Sequence, residues 1–358
     1  MRRSLRVGPS LRGDFPAGHN RTVQPHDAFG RSLKDLRISV TDRCNFRCNY
    51  CMPHDEYAWA AKDAVLTFEE ITRLAALFLG LGVRKIRLTG GEPLVRQNLD
   101  RLVGRLTALD SLEELSLTTN GALLAAQAGP LRKAGLCRIN VSLDTLKADR
   151  FRLLTRRGDL AEVLAGIEAA RSAGFSGIKI NTVVIRDTND DEILDLVAYA
   201  RSRDLEVRFI EYMDVGNANN WDPRRTVSRD EILETIHARY PLEEAGRREG
   251  RAPAVDYRFL DGHGTVGIIG SVTQPFCSSC TRARLTADGR LVTCLFSETG
   301  FDLKTPLRNG AADQEILEAI AGVWGGRSDR YSDERREALR AGRPFGRGNK
   351  IEMITLGG

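Results

Sequence analysis

No apolar run in this sequence of 358 residues is long enough to cross a bilayer. The longest, Leu74 to Val83, is about half of the ~20 residues that a transmembrane helix needs. Residues 1–15 are rich in Arg and Gly and lack the apolar core of a secretory signal. Residues 1–30 therefore read as a variable, disordered extension, with an Arg-rich organelle transit peptide as the alternative. Basic residues form no concentrated stripe, and the formal net charge is only +5. That balance suits a small anionic substrate better than nucleic acid. Seven cysteines without a signal peptide argue against disulfides, because a reducing cytosol keeps thiols free. Internal repeats beyond a strand–helix unit, and low-complexity tracts, are also missing. These absences point to a cytoplasmic protein with no membrane or nucleic-acid partner. What remains is ordinary globular composition: 42% hydrophobic and 28% charged residues, enough for a sizeable core.

The length suits about two domains. From residue 36 to about 211 strand and helix patterns alternate. Candidate strands are Leu36–Val40, Lys85–Thr89, Glu114–Thr118, Arg138–Leu143, Ile178–Val184 and Glu206–Ile210. Helical patterns lie between them: Thr67–Leu79, Gln97–Leu109, Leu123–Ala134, Asp159–Ala173 and Asp190–Arg201. Thr67 and Glu70 make a capping box, and Ile71, Leu74, Ala75 and Phe78 repeat on one face. Such alternation implies βαβ units and a parallel sheet. Six units are too few for a closed eight-stranded barrel. The fold expected is α/β: a partial, TIM-like (β/α)6 barrel over 31–215, with a flat doubly wound sheet as the alternative. After a linker at Gly216–Pro223, residues 216–358 would form an α+β region closing the barrel's lateral opening. It would hold a helix near Arg229–Ala238 and strand-like runs at Tyr257–Leu260 and Val266–Ile269. A hairpin Arg284–Cys294 turning at Asp288 and Gly289, and two more helical stretches, would follow.

Six of the seven cysteines fall into two groups of three. Cys137 stands alone at the start of an apolar strand, where a small buried hydrophobe is expected. Cys44, Cys48 and Cys51 follow the first strand directly, at the end where parallel α/β barrels build active sites. Three thiolates could hold zinc, with His54 as a fourth ligand. They could also hold a [4Fe–4S] cluster, which ordinarily takes four cysteines, so that one iron is left open. Cys277, Cys280 and Cys294 raise the same alternatives, with His263 as the fourth zinc ligand.

The string from Cys44 to Cys51, with Tyr50 just before the last cysteine, resembles the signature of the radical S-adenosylmethionine (SAM) superfamily. Gly90, Gly91, Glu92 and Pro93 follow the second strand, like the glycine-rich turn that meets the methionine moiety of SAM. The resemblance implies that SAM chelates the open iron and that a 5′-deoxyadenosyl radical takes hydrogen from a substrate. Two open clusters in one chain would face each other across the mouth of the barrel.

The whole chain from Phe29 onward is similar to the GTP 3′,8-cyclase family of molybdenum-cofactor biosynthesis. The similarity is carried by Phe29–Arg31, Leu36–Cys44, Thr89–Pro93, Thr118–Gly121, Val141–Asp144, Arg208–Met213, Phe276–Arg284 and the terminal Gly357 and Gly358. It implies two [4Fe–4S] clusters, on Cys44, Cys48 and Cys51 and on Cys277, Cys280 and Cys294, with SAM held by Tyr50, Gly91, Ser142 and Met213. Basic residues in or after four strands, Arg37, Lys85, Arg87, Lys179 and Arg208, are expected to converge on the triphosphate, since unpaired charges inside apolar strands are costly. Ion pairs are the alternative for each one. Arg282 and Arg284 point the same way in an extended chain. The resemblance makes these two the catalytic pair that holds GTP, and adds Thr118 near ribose or base. It also carries the diglycine tail into the active site, although a frayed terminus or a ubiquitin-like adenylated tail would look the same. The product would be (8S)-3′,8-cyclo-7,8-dihydroGTP. The implied partners are an electron donor and the downstream cyclic pyranopterin monophosphate synthase, with the protein a monomer or homodimer. A peptide-modifying radical SAM maturase and a non-catalytic zinc-binding protein are the competing functions.

Overall fold

The computed structural model describes residues 24–343, 345 and 348–357. Of the disordered extension expected over residues 1–30, residues 1–23 lie outside them; residues 24–30 are instead structured, with His26 bridged to Ser32 and the buried Asp27 paired with Arg31 and Arg327. Six strands form the centre of the sheet: β1 Asp35–Ser39, β2 Lys85–Thr89, β3 Glu114–Thr119, β4 Arg138–Ser142, β5 Lys179–Val184 and β6 Glu206–Glu211. Between them run α1 Phe68–Gly80, α2 Leu99–Thr107, α3 Leu124–Lys133, α4 Ala148–Thr155, α5 Leu160–Ser172 and α6 Ile193–Arg201. The expected capping box starts α1: Thr67 accepts from the Glu70 amide, and the Glu70 carboxylate returns to the Thr67 amide. Helix α4 was not expected. The helix expected from Asp190 begins instead with a 3-10 turn, Asp190–Glu192. There the buried Glu192 turns inward and accepts from the Leu146 amide at 2.8 Å.

The six strands are ordered β1 to β6 without a reversal, and every neighbouring pair is parallel. A chain that always advances in one direction with crossovers of one hand keeps its helices on one face. A doubly wound sheet needs a reversal of strand order, so that alternative fails. The two faces therefore differ in chemistry. Ile38, Leu88, Leu117, Val141, Ile180 and Phe209 are buried in the core with the helices. The alternate positions carry Arg37, Arg87, Ser116, Thr118, Asn140, Asn181 and Arg208, in register from strand to strand. We call this the polar face.

The C-terminal part consists of α7 Arg229–Arg239, β7 Leu242–Gly246, β8 Val255–Phe259, β9 Thr265–Ile269, β10 Arg282–Leu285, β11 Arg290–Val292, β12 Phe301–Asp302, α8 Lys304–Arg308, α9 Asp313–Gly325, α10 Tyr331–Arg340 and α11 Met353–Leu356. Its strands extend the sheet at both edges: β9 runs parallel to β6, and β10 parallel to β1. The expected hairpin exists, but it begins at Arg282, and Cys294 lies beyond its second strand. Four helices follow instead of two. Cys137 is exposed, not buried. It sits in the turn before β4, one residue ahead of the strand that would have covered it.

One short loop touches both sides of the sheet. Arg248 pairs with Glu206 of β6 at 2.7 Å, Glu249 pairs with Lys85 of β2, and Arg251 pairs with Asp35 of β1 at 2.7 Å. Among the described residues no helix is long and apolar enough to cross a membrane.

Candidate active site

The loop after β1 carries the first cysteine group, and its neighbours hold it from three sides. The Gly91 and Glu92 amides donate to the carbonyls of Thr41 and Arg43 at 2.7 and 2.8 Å. Only glycine permits this approach: a Cβ at Gly91 would stand 2.3 Å from the Arg43 carbonyl oxygen. Glu92 accepts from the Thr119 hydroxyl at 2.7 Å and the Asn120 amide at 2.7 Å. Burial still pushes its carboxyl up to about 7. On the far side the Tyr50 hydroxyl donates to Asp144 at 2.6 Å, and the other Asp144 oxygen accepts from the Val183 amide at 2.9 Å. Burial pushes Asp144 up to about 6. Strands β2 to β5 thus each contribute to the setting of Cys44, Cys48 and Cys51.

All three cysteines are free and half-buried. Burial pushes the thiols of Cys44 and Cys51 up to about 11 and about 12. Thiolates in such a place need a positive partner, and iron supplies one. Free thiols in a protected loop fit the donor set of a cluster.

The second group brackets the strand β10. Cys277 and Cys280 flank a 3-10 turn, and Cys294 follows β11. Arg31 donates to the Cys277 carbonyl at 2.7 Å and Arg327 to the Cys280 carbonyl at 2.9 Å. Both arginines pair with the buried Asp27. Arg282 donates to the Cys280 sulfur at 3.2 Å. Burial pushes the Cys280 thiol up, but Arg282 and Arg327 outweigh it and hold the group at about 6. Burial pushes Cys294 up to about 12. His263 lies in the β8–β9 turn, where its carbonyl accepts from Arg201. Six strands separate β9 from β10, so His263 is not the ligand expected from sequence. Among the described residues no three Cys, His, Asp or Glu side chains are grouped to hold a single ion.

The register places the two groups differently from the sequence expectation. Arg282, two residues after Cys280, pairs with Asp35 at the start of β1, whereas Cys44 follows its end. The groups therefore sit at opposite ends of the polar face, not across a mouth, with five residues of strand or roughly 16 Å between those ends.

Along that face the basic residues sort into two sets. Arg284, Arg37 and Arg87 stand side by side on β10, β1 and β2 as register partners. None of them has a carboxylate partner among the described residues. Arg87 donates only to the Ser116 hydroxyl at 3.3 Å. Burial pushes Arg37 well down, and Arg87 and Arg284 down to about 10. Lys85, Lys179 and Arg208 are instead ion-paired, with Glu249, Glu206 and Glu206. The structure thus gives the ion-pair alternative for these three, and leaves the others without a carboxylate partner among the described residues.

Thr118 faces the same surface with a buried hydroxyl that has no partner. Two residues that sequence reasoning missed join it. Both amide atoms of Asn140 and the amide oxygen of Asn181 are buried and unpartnered. Asn140 is the register partner of Thr118 on one side and Lys179 on the other. The available signal was a polar residue at every second position of an apolar strand. Ser142 and Asn181 are also register partners, and Met213 lies just past β6. A buried polar atom left unpaired costs about 1–3 kcal/mol, so orphans gathered on one surface mark where a ligand completes them. The tail meets the same surface: Arg284 donates to the carbonyls of Leu356 and Gly357 at 3.2 and 3.0 Å. Gly358 lies outside the described residues.

The radical SAM superfamily matches residues 38–200, and the Molybdenum Cofactor Synthesis C family matches 205–333. The GTP 3′,8-cyclase of Acidothermus cellulolyticus is 48% identical, over 94% of this chain and 100% of its own length. That of Staphylococcus saprophyticus is 46% identical, over 93% of this chain and 98% of its own. The chain belongs to the GTP 3′,8-cyclase family. Its fold resembles that of Streptococcus suis SuiB, solved with S-adenosylmethionine, with a TM-score of 0.60 over 86% of this chain and 68% of the other at 14% identity. GTP 3′,8-cyclases are radical SAM lyases of molybdenum-cofactor biosynthesis that use SAM and iron–sulfur clusters, and both cysteine groups for such clusters are intact here.

Proposed function

We propose that GTP lies along the polar face between the two cysteine groups, and that the chain cyclises it there to (8S)-3′,8-cyclo-7,8-dihydroGTP. The observation that carries this assignment is the carboxylate-free row of Arg284, Arg37 and Arg87. One buried and two half-buried guanidiniums without carboxylate partners suit a ligand bearing about four negative charges, because the planar fork of arginine pairs two oxygens at once. Lys85, Lys179 and Arg208, each held by a carboxylate, border that row without adding unpaired charge to it. Arg282 lies against the second cluster position and reaches the same substrate end. Thr118, Asn140 and Asn181 supply hydrogen bonds to ribose and base.

When bound, SAM and the cluster on Cys44, Cys48 and Cys51 supply the 5′-deoxyadenosyl radical that removes the ribose 3′ hydrogen. Tyr50, Gly91, Ser142 and Met213 lie on the loops and strand ends that would position SAM. Cys277, Cys280 and Cys294 would hold the second cluster, which would supply a binding position for the guanine end of the substrate. The polar face keeps C3′ and C8 in bonding geometry and excludes water from the reacting atoms.

This assignment also favours a barrel-like curvature. In a flat sheet β2 and β6 would be four spacings, roughly 19 Å, apart. Yet the adjacent residues Glu249 and Arg248 reach Lys85 and Glu206. An open (β/α)6 barrel over 31–215, with 216–358 extending both edges and holding the second cluster, accounts for that reach. The protein would work in the cytoplasm with an electron donor and pass its product to cyclic pyranopterin monophosphate synthase.

Anaerobic incubation of reconstituted protein with SAM, a reductant and GTP tests the assignment. GTP-dependent 5′-deoxyadenosine with a cyclised guanine product supports it. Deoxyadenosine formed at the same rate without GTP sinks it.

A further inference from the structure

We infer that Asp214 and Lys350 form a latch that sets how far the C-terminal tail reaches into the polar face. Asp214 follows Met213 at the end of β6 and lies in a protected pocket. One carboxylate oxygen pairs with Arg335 of α10, whose side chain is fully buried. The other accepts from Lys350 at 2.7 Å and from the Tyr331 hydroxyl at 2.5 Å. The Lys350 ammonium makes a second bond, to the Asp214 carbonyl, at 2.7 Å. Burial would raise the Asp214 carboxyl, but Arg335, Lys350 and Tyr331 outweigh it and keep it below its ordinary value.

The position of Lys350 gives this cluster its consequence. It stands seven residues before Gly357, at the root of the tail. Its ammonium lies 4.7 Å from the centre of the Tyr331 ring and 5.4 Å from that of Phe296, two residues past Cys294. The main chain is tied beside it: the Asn217 side-chain Nδ2 donates to the Lys350 carbonyl at 2.6 Å, and the Ile351 backbone amide to the Ser297 carbonyl at 2.9 Å. Only at the other end does the tail touch the substrate surface, through Ser39 to the Thr355 carbonyl at 3.0 Å and through Arg284. The tip is held by a few bonds and the root by a buried charge network. Fixing the root restricts the tip to a small volume, which raises its effective concentration at Arg284. Lys350 is thus a positioning residue, acting on Arg284 through the tail. Its value to turnover rests on the functional assignment above, but its hold on the tail does not.

The test is hydrogen exchange in the reconstituted full-length protein, comparing wild type with Lys350→Met. The latch predicts that the amides of residues 353–357 exchange at least tenfold faster, while those of β6 and α10 are unchanged. It further predicts a larger rise in KM for GTP than fall in kcat. Unchanged tail exchange would overturn the latch. So would equal acceleration in β6, α10 and the tail, which would make the cluster a general support. Should Lys350→Met fail to fold, Lys350→Gln, which keeps a donor for the Asp214 carbonyl, is predicted to give an intermediate acceleration under the same criteria. A wild-type protein that does not cyclise GTP would refute the functional assignment and leave the exchange result standing.

Discussion

Arg37 on β1 and Arg87 on β2 are register partners with no carboxylate to pair with either among the described residues. Like charges directly opposite each other on a sheet are destabilising, and burial adds to that cost. The anion proposed to bind here would offset both costs. Replacing Arg87 with Met should therefore leave stability unchanged or raise it by up to about 1 kcal/mol. The same change should weaken GTP binding at least tenfold, since a hydrogen bond to a charged group contributes about 1.5–3 kcal/mol. Chemical denaturation and equilibrium binding check the two halves. A variant less stable than wild type would make Arg87 a structural residue.

Asn140 poses the same question without charge. Its unpartnered amide atoms lie between Thr118 and Lys179. Asn140→Leu should raise stability by about 1 kcal/mol or more and slow GTP turnover. Stability measured by denaturant and steady-state product formation decide it. A destabilised variant with normal turnover would remove Asn140 from the site.

Glu206 binds Lys179, Arg208 and Arg248, and its role has a pH signature. Burial raises its carboxyl, but Arg208, Lys179 and Arg248 outweigh that and hold it at about 2, below the ordinary 4.5. A depressed carboxylate stabilises the fold above pH 4.5 and loses that contribution as pH falls toward 2. Glu206→Gln should cost about 3 kcal/mol at pH 7, because it leaves cations buried without their partner. The gap to wild type should close between pH 4.5 and 2. Denaturation midpoints of both proteins across that range test the sign, and a constant gap would contradict it.

Gly91→Ala puts a methyl group against the carbonyls of Asp42 and Arg43. The loop before Cys44 must shift, at a cost of about 1–3 kcal/mol. Iron content should fall toward half after reconstitution, because only the first group is disturbed. Full iron content with normal SAM cleavage would show that the loop tolerates the shift.

Much of this was legible in local sequence. The strand–helix alternation, the capping box at Thr67 and both cysteine groups depend on neighbours close in the chain. What was not legible depends on distant pairing. Whether a strand lysine is free or paired turns on Glu206 for Lys179 and on Glu249 for Lys85, and both pairs are joined only by the fold. The opposite-end placement of the two cysteine groups needs the register of β10 on β1. β7 was missed because its residues, Leu242–Gly246, are mostly exposed on a sheet edge and show no apolar alternation. Cys137 misled because it precedes the strand: β4 starts at Arg138 as expected, and the turn residue before it is left exposed.

The central claim is that the polar face presents the ribose of GTP to the radical generated beside Cys44, Cys48 and Cys51. GTP carrying deuterium at C3′ tests it directly in the reconstituted protein with SAM and reductant. The account predicts 5′-deoxyadenosine that has gained one deuterium, in step with the cyclised product. Turnover that yields only unlabelled deoxyadenosine would contradict it.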